Sequence, residues 1–204
     1  MTKIIGLTGP SGSGKCAVSR ILKAYGIPSV DTDAVYHDLL LEEGPCTREL
    51  TDAFGPDILD MQGLVDRKKL AGAVFGHPDS ETRLHTLNRI THKYIMAKTH
   101  ELVHRHTEKG VPAVVIDAPL LFEAGVDAEC DLVLGVIAPP EICIRRIMER
   151  DGIPEQAARM RLASQHDSAF FRQHCHAVVE NNTSIEALEA QICQFLKDYG
   201  VITA

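Results

Sequence analysis

The apolar positions of this chain follow two rhythms, and the places where one gives way to the other mark its elements. "KIIGLTG" is a short continuous apolar run closed by glycine, the pattern of a strand buried on both faces. "GKCAVSRILKAYG" then repeats apolar residues at helical spacing: Val18, Ile21 and Leu22 share a face, and Gly26 is a natural stop. "IPSVDTD" reads as a second short strand ending in two acids. From residue 34 to residue 110 the pattern is mostly helical, broken by turn signals at "EEGP", "FGPD" and "GHPDS". β-Branched runs return at "VPAVVIDAPLLF" and "CDLVLGVIAPP". Two basic helical segments follow, "EICIRRIMERDG" and "PEQAARMRLASQ", with a turn between them. "HAVVENN" reads as a last strand, and "SIEALEAQICQFLKDYG" as an amphipathic closing helix with Ser184 as its N-cap.

Strands alternating with helices predict an α/β fold, a parallel sheet with helices on both faces. The expected core is residues 1–33 with 111–204, and the helical block 34–110 is an insertion. That insertion is expected over the carboxyl edge of the sheet, where open α/β sheets bind ligands. The chain has 204 residues and is 45% apolar, enough for one sizeable core. Its net charge of −7 argues against a nucleic-acid partner. No apolar run approaches the roughly 18 residues that would suggest a membrane partner, and the first residues read as a strand, not as a secretory leader. Six cysteines without a C-x-x-C pair point to free thiols and a cytoplasmic protein.

Candidate chemistry starts at "GPSGSGKC", residues 9–16, a G-x-x-x-x-G-K loop between a strand and a helix. Gly9, Gly12, Ser13 and Gly14 let the backbone wrap a phosphate, and the helix that follows turns its positive end to the same anion. Lys15 adds a mobile charge for the β- and γ-phosphates. The next residue is normally Ser or Thr, whose hydroxyl touches Mg²⁺; here it is Cys16, a soft ligand for a hard cation. Asp31 and Asp33, at alternate positions of the predicted second strand, are expected on one side of it. Carboxylates beside a phosphate site hold Mg²⁺ through water or accept the proton of an attacking hydroxyl. Asp117, ending an apolar strand, reads as a second metal-side carboxylate, with Glu123 a further candidate. Arg145, Arg146, Arg150, Arg159 and Arg161 form a basic helical pair over about residues 140–166, the expected lid. His100, His104, His106 and the "HCH" at 174–176 lack convergent further ligands, so no structural zinc is expected.

Together these stretches resemble the dephospho-coenzyme A kinase family over nearly the whole chain. The resemblance runs through "IGLTGPSGSGK", "VDTDAVYHDLL", "FGPDILDMQGLVDRKKLAGAVF", "LNRITHKYI", "VVIDAPLLFEAG", "RIMERDGIPEQAARMRLASQ" and "HAVVENN". It implies a phosphate-loop kinase fold with a core, a lid and an acceptor-binding helical block. It also implies transfer of the γ-phosphoryl group of ATP, with Mg²⁺, to the ribose 3′-hydroxyl of dephospho-coenzyme A, by a protein most simply monomeric. In those terms Asp33 is the base, and Gly12 to Ala17 line the ATP phosphates with Lys15. Arg146 and Arg150 reach over the phosphates with Arg161 beside them. Asp31, His37, His92, Asp117 and Leu120 lie on the acceptor side, and Asp33 and Asp117 face the metal through water. Three departures stand out: Cys16 and Ala17 replace Ser-Thr, His37 stands where many members have arginine, and Lys93 replaces the proline after His92. The rival readings are another small-molecule or nucleotide kinase of the same fold, and an ATP-binding regulator weakened by Cys16.

Overall fold

The computed structural model of the protein describes residues 2–203. Among these, β1 (Lys3–Thr8), β2 (Ser29–Asp31), β3 (Ala113–Asp117), β4 (Leu132–Ile137) and β5 (Ala177–Glu180) form one sheet in the order β2-β3-β1-β4-β5. The helices are α1 (Lys15–Ala24), α2 (Thr32–Leu40), α3 (Pro45–Phe54), α4 (Arg67–Phe75), α5 (Ser80–Thr107), α6 (Pro140–Asp151), α7 (Glu155–Ala163), α8 (Ser168–His174) and α9 (Ile185–Asp198). The pairings β1–β3, β1–β4 and β4–β5 are parallel. Parallel neighbours need crossover connections, which explains the alternation of strand and helix along the chain.

β1 lies in the middle of the sheet, with Leu7 opposite Asp117 of β3 on one side and Leu134 of β4 on the other. All six residues of β4 are buried, as are Ile5 to Thr8 of β1. Their unbroken apolar runs follow from cover on both faces. On one face Ile5, Leu7, Leu134 and Val136 pack with Val18 and Leu22 of α1 and Ile192 and Leu196 of α9. At Gly6 and Gly135 neighbours come in so close that an added Cβ would lie 2.9 Å from the Leu121 side chain and from Cys175 Sγ, respectively.

The described chain divides into two compact units: one comprises the chain up to Val30 and from Val103 onward, the other Asp31–Leu102. The second unit has its own core, in which Leu40, Leu50, Ile58, Leu70, Val74 and Ile90 are all buried. In the first unit, α6 and α7 form a hairpin packed through Ile144, Ile147, Ala158 and Leu162. Gly152, in the left-handed region at φ +64°, closes α6. No helix of the described residues is long and apolar enough to cross a membrane.

Two helix ends follow the pattern read from the chain. α1 stops at Tyr25 with Gly26 left-handed at φ +75°, and Ser184 Oγ accepts the Ala187 N–H at the start of α9. One expectation is corrected. The second strand ends at Asp31, and Thr32 already belongs to α2, so Asp31 and Asp33 do not alternate on one strand. The reason is capping: the Asp31 carboxylate accepts the N–H groups of Asp33 at 2.9 Å and Ala34 at 3.1 Å. These are donors that an uncapped helix leaves unsatisfied, so the turn into α2 comes two residues early.

Candidate active site

β1 delivers the chain to the carboxyl edge of the sheet, and the loop from Gly9 to Gly14 carries it into α1. Two constraints meet at the glycines of this loop. Gly12 and Gly14 have φ of +78° and +96°, a region L side chains rarely adopt. A Cβ at Gly12 would also lie 2.4 Å from the carbonyl oxygen of Cys143, and one at Gly14 2.0 Å from Asn181 Nδ2. Only glycine fits both the turn and the approach of α6 and the segment after β5. Lys15 Nζ reaches back along the loop and donates to the Gly9 carbonyl at 2.8 Å.

The outer side of the loop is held by side chains. Arg146 Nη1 donates to the carbonyls of Gly12 and Ser13, both at 3.2 Å, and its Nη2 to the Asn181 carbonyl at 3.3 Å. Asn181 Nδ2 donates to the same Ser13 carbonyl at 2.8 Å. In a trans peptide the N–H points opposite to the C=O. Holding the Ser13 carbonyl outward therefore turns the Gly14 N–H away from Arg146, while the Ser13 N–H closes the loop on the Pro10 carbonyl at 3.1 Å. A backbone donor placed in this way, next to a helix N-terminus, favours an anion.

Ser11 receives two further groups from the region of the α6–α7 hairpin. Its N–H donates to Gln165 Oε1 at 2.8 Å, and its hydroxyl accepts from Arg150 Nη2 at 3.3 Å. Arg150 grips Asp151 with both Nε and Nη2, at 2.7 and 2.9 Å, and Arg161 donates to the same carboxylate. The Arg150 hydrogen bond first, then the charges of both arginines, hold the Asp151 carboxyl at a pKa of about 2. Arg159 is occupied by Glu141 and Glu155 at the surface.

Asp117 ends β3 beside Leu7, half-buried, and its Oδ2 accepts from Ser19 Oγ at 3.0 Å. Leu120 is exposed and, with Thr8, Gly9, Glu123, Gln165 and His166, lines a shallow cleft. Glu123 meets His166 at 3.3 Å, and the His166 ring stacks on Phe170 with centroids 3.6 Å apart. Cys16 and Ala17 open α1, and Cys16 is the one exposed cysteine among the described residues. Burial pushes the thiols of Cys130 and Cys175 up to about 12 and that of Cys46 to about 11, which leaves them inert. The "HCH" segment is structural: His176 Nδ1 accepts the Val133 N–H, and no trio of His, Cys, Asp or Glu side chains converges on a metal site among the described residues.

The dephospho-CoA kinase profile matches residues 3–187. The chain belongs to the dephospho-CoA kinase family. It is 35% identical over 202 residues to a dephospho-CoA kinase of Geobacillus kaustophilus, covering 99% of each chain. Among solved structures, a Thermus thermophilus protein superposes with a TM-score of 0.81 at 30% identity, covering 100% of this chain and 99% of that one. A dephospho-CoA kinase from Campylobacter jejuni shares the fold, with a TM-score of 0.64 at 23% identity and 97% coverage of both chains.

In this chain, the residues expected to act together fall into two groups. The first unit brings together Gly9 to Ala17, Arg146, Arg150, Arg161, Asp117 and Leu120. The second unit carries Asp31, Asp33, His37 and His92. Asp33 is exposed in the first turn of α2. His37 Nδ1 stands 3.2 Å from Arg67 Nη1. Because arginine only donates, this nitrogen accepts and the His37 proton sits on Nε2. His92 is exposed on α5; its neighbour Lys93 donates to Glu49 Oε2 at 2.9 Å, and Tyr94 donates its hydroxyl to the same oxygen at 2.7 Å. Sequence reasoning did not single out Ser19, Asn181 or Gln165. Ser19 had a legible signal, since helical spacing puts it on the same face as Cys16. Asn181 and Gln165 lie in stretches that carry the family resemblance, but no local spacing ties either of them to the loop; only the fold brings them there.

Proposed function

We propose that this chain transfers the γ-phosphoryl group of ATP to the ribose 3′-hydroxyl of dephospho-CoA, the last step of coenzyme A synthesis. The observation that carries this reading is the glycine phosphate loop with Lys15 folded back along it, in a chain that the family matches over residues 3–187. Lys15, together with the N–H groups of the loop, neutralises the phosphates of ATP. Arg150, held by Asp151 and already touching Ser11, adds a fixed positive charge beside the transferring group. Asp33 takes the proton of the attacking hydroxyl, and His37 and His92 belong to the acceptor side.

Mg²⁺ is part of the proposal, and the donor set fits it. Mg²⁺ keeps several waters and takes one or two carboxylates plus substrate phosphates, without an all-protein cage. Asp117 offers hard oxygen, its carboxylate held by the Ser19 hydroxyl at 3.0 Å. Asp117 would hold the ion through water, and the ion when bound would neutralise charge on the β- and γ-phosphates. Cys16 contributes backbone only, its thiol being a poor match for a hard cation.

A coupled ADP-release assay with dephospho-CoA, shikimate and nucleoside monophosphates as acceptors tests the reading. Turnover confined to dephospho-CoA is expected, and Asp33→Asn should lose at least about 100-fold in kcat while still binding ATP. Turnover with another acceptor instead would point to a related kinase. ATP binding without acceptor-dependent ADP release would point to a regulator.

A further inference from the structure

The cysteine at position 16 removes one protein attachment for the metal and leaves more of the task to Asp117. How Asp117 is itself held then matters more than it would in a loop with a hydroxyl at position 16. Asp117 is the last residue of β3 and pairs with Leu7 of β1 at the carboxyl edge of the sheet. Its Oδ2 accepts from the hydroxyl of Ser19, 3.0 Å away and half-buried. Ser19 lies three residues after Cys16 on α1, so the two side chains occupy the same helix face, one turn apart. The hydroxyl can only donate toward a carboxylate, and the bond is charge-assisted. It also ties the phosphate-loop helix to the strand end that carries the carboxylate.

We propose that Ser19 is the positioning residue for the metal-side carboxylate of this kinase, orienting Asp117 toward the nucleotide-bound ion that Cys16 does not ligate. This rests on the reading of Asp117 given under Proposed function. Ser19 does not touch the ion; its hydroxyl orients the carboxylate that holds the ion through water. Groups that orient a metal-binding carboxylate in this way typically change metal affinity by about 10- to 100-fold when removed. The reasoning also predicts coupling between positions 16 and 19. A serine at position 16 would give the ion a second protein oxygen, so the orientation of Asp117 would count for less, and the loss on removing the Ser19 hydroxyl would shrink.

The test uses Mn²⁺ as a paramagnetic substitute for Mg²⁺ and reads bound ion by electron paramagnetic resonance in the ADP complex of the full chain. Ser19→Ala should weaken Mn²⁺ binding by about 10-fold. Its ADP affinity in the presence of a chelator should stay at the wild-type value, which reports an intact phosphate loop. Ser19→Thr, which keeps the hydroxyl, should bind Mn²⁺ like wild type. Ser19→Cys, close in shape but a weak donor, should follow Ser19→Ala and serves if the alanine variant folds poorly. In a Cys16→Ser background the Ser19→Ala loss should fall to about threefold or less, a coupling that a merely structural serine would not show. Asp117→Asn separates the two levels. If it weakens Mn²⁺ binding but Ser19→Ala and Ser19→Cys do not, Ser19 has no positioning role and the proposal is overturned alone. If Asp117→Asn leaves Mn²⁺ binding unchanged, the metal-side reading of Asp117 falls and the proposal falls with it.

Discussion

The phosphate loop and the helical unit Asp31–Leu102 are built on opposite principles. The loop is a backbone site: its donors are N–H groups, its shape depends on glycines, and side chains such as Arg146 and Asn181 brace it from outside. The helical unit presents side chains, among them His37 against Arg67 and Lys93 with Tyr94 on Glu49. A backbone site tolerates Cys16 because the thiol leaves the main chain unchanged. A side-chain site has no such insulation, and each of its positions can be exchanged for a different local pairing. Cys16, in the first turn of α1, accordingly changes a side chain and not the loop backbone, whereas His37 and Lys93 each take part in a side-chain pairing of the helical unit.

The largest effect is expected where the backbone itself is disturbed. Gly12→Ala combines a left-handed conformation with a Cβ 2.4 Å from the Cys143 carbonyl. Strain of about 1–3 kcal/mol from the conformation alone, plus displacement of α6, should abolish measurable ATP binding by calorimetry. Near-wild-type affinity would show that the loop adapts and that its geometry is not the determinant. Next comes the brace: Arg146→Ala removes donors from three carbonyls and should weaken ATP by about 10-fold, with Arg146→Lys little better because it lacks the fork. A lysine variant at full affinity would mean that charge, not the fixed fork, is what matters.

Smaller effects are expected at exposed pairs. In the helical unit, Glu49→Ala should lower the urea midpoint more than Lys93→Ala. It leaves the half-buried Tyr94 hydroxyl without its acceptor, whereas losing an exposed lysine costs little. The reverse ranking would show the ion pair to be the stronger contact. The smallest effect concerns Asp151 and pH. Its pKa of about 2 lies below the ordinary carboxylate value. The charged form therefore stabilises the fold above the ordinary value, and this contribution is lost as pH falls through about 2. The difference in urea midpoint between wild type and Asp151→Asn should be full near neutrality and shrink as pH is lowered from about 5 towards 2. A difference independent of pH would mean that Asp151 acts by packing, not by charge.

Much of the architecture was legible in the chain because it rests on local rules. Apolar runs marked the buried strands β1, β3 and β4, Gly26 and Ser184 marked helix ends, and glycine spacing with Lys15 marked the phosphate loop. The turn at Asp31 was misjudged for a local reason as well: alternation suggested a strand through Asp33, but capping ended it at Asp31. The order of the strands was not legible, since parallel neighbours are joined by long crossovers and no nearby residues encode the pairing. Nor was the separate fate of the arginines. As a run they read as one basic lid, but the fold sends Arg146 to the loop carbonyls, Arg150 and Arg161 to Asp151, and Arg159 to surface glutamates.

The amino-acid sequence by itself determined that this chain has a phosphate cradle, which helices and strands surround it, and that a thiol stands where a hydroxyl is expected. Those features depend on residue type and spacing over a few positions. Only the tertiary structure decided which side chains reach the cradle. Asn181 and Gln165 lie more than 150 positions beyond the loop, at |i−j| of 168 from Ser13 and 154 from Ser11, and Asp117 meets Ser19 across 98 positions. Contacts at such separation come from the packing of whole elements against the sheet, and no local pattern records them.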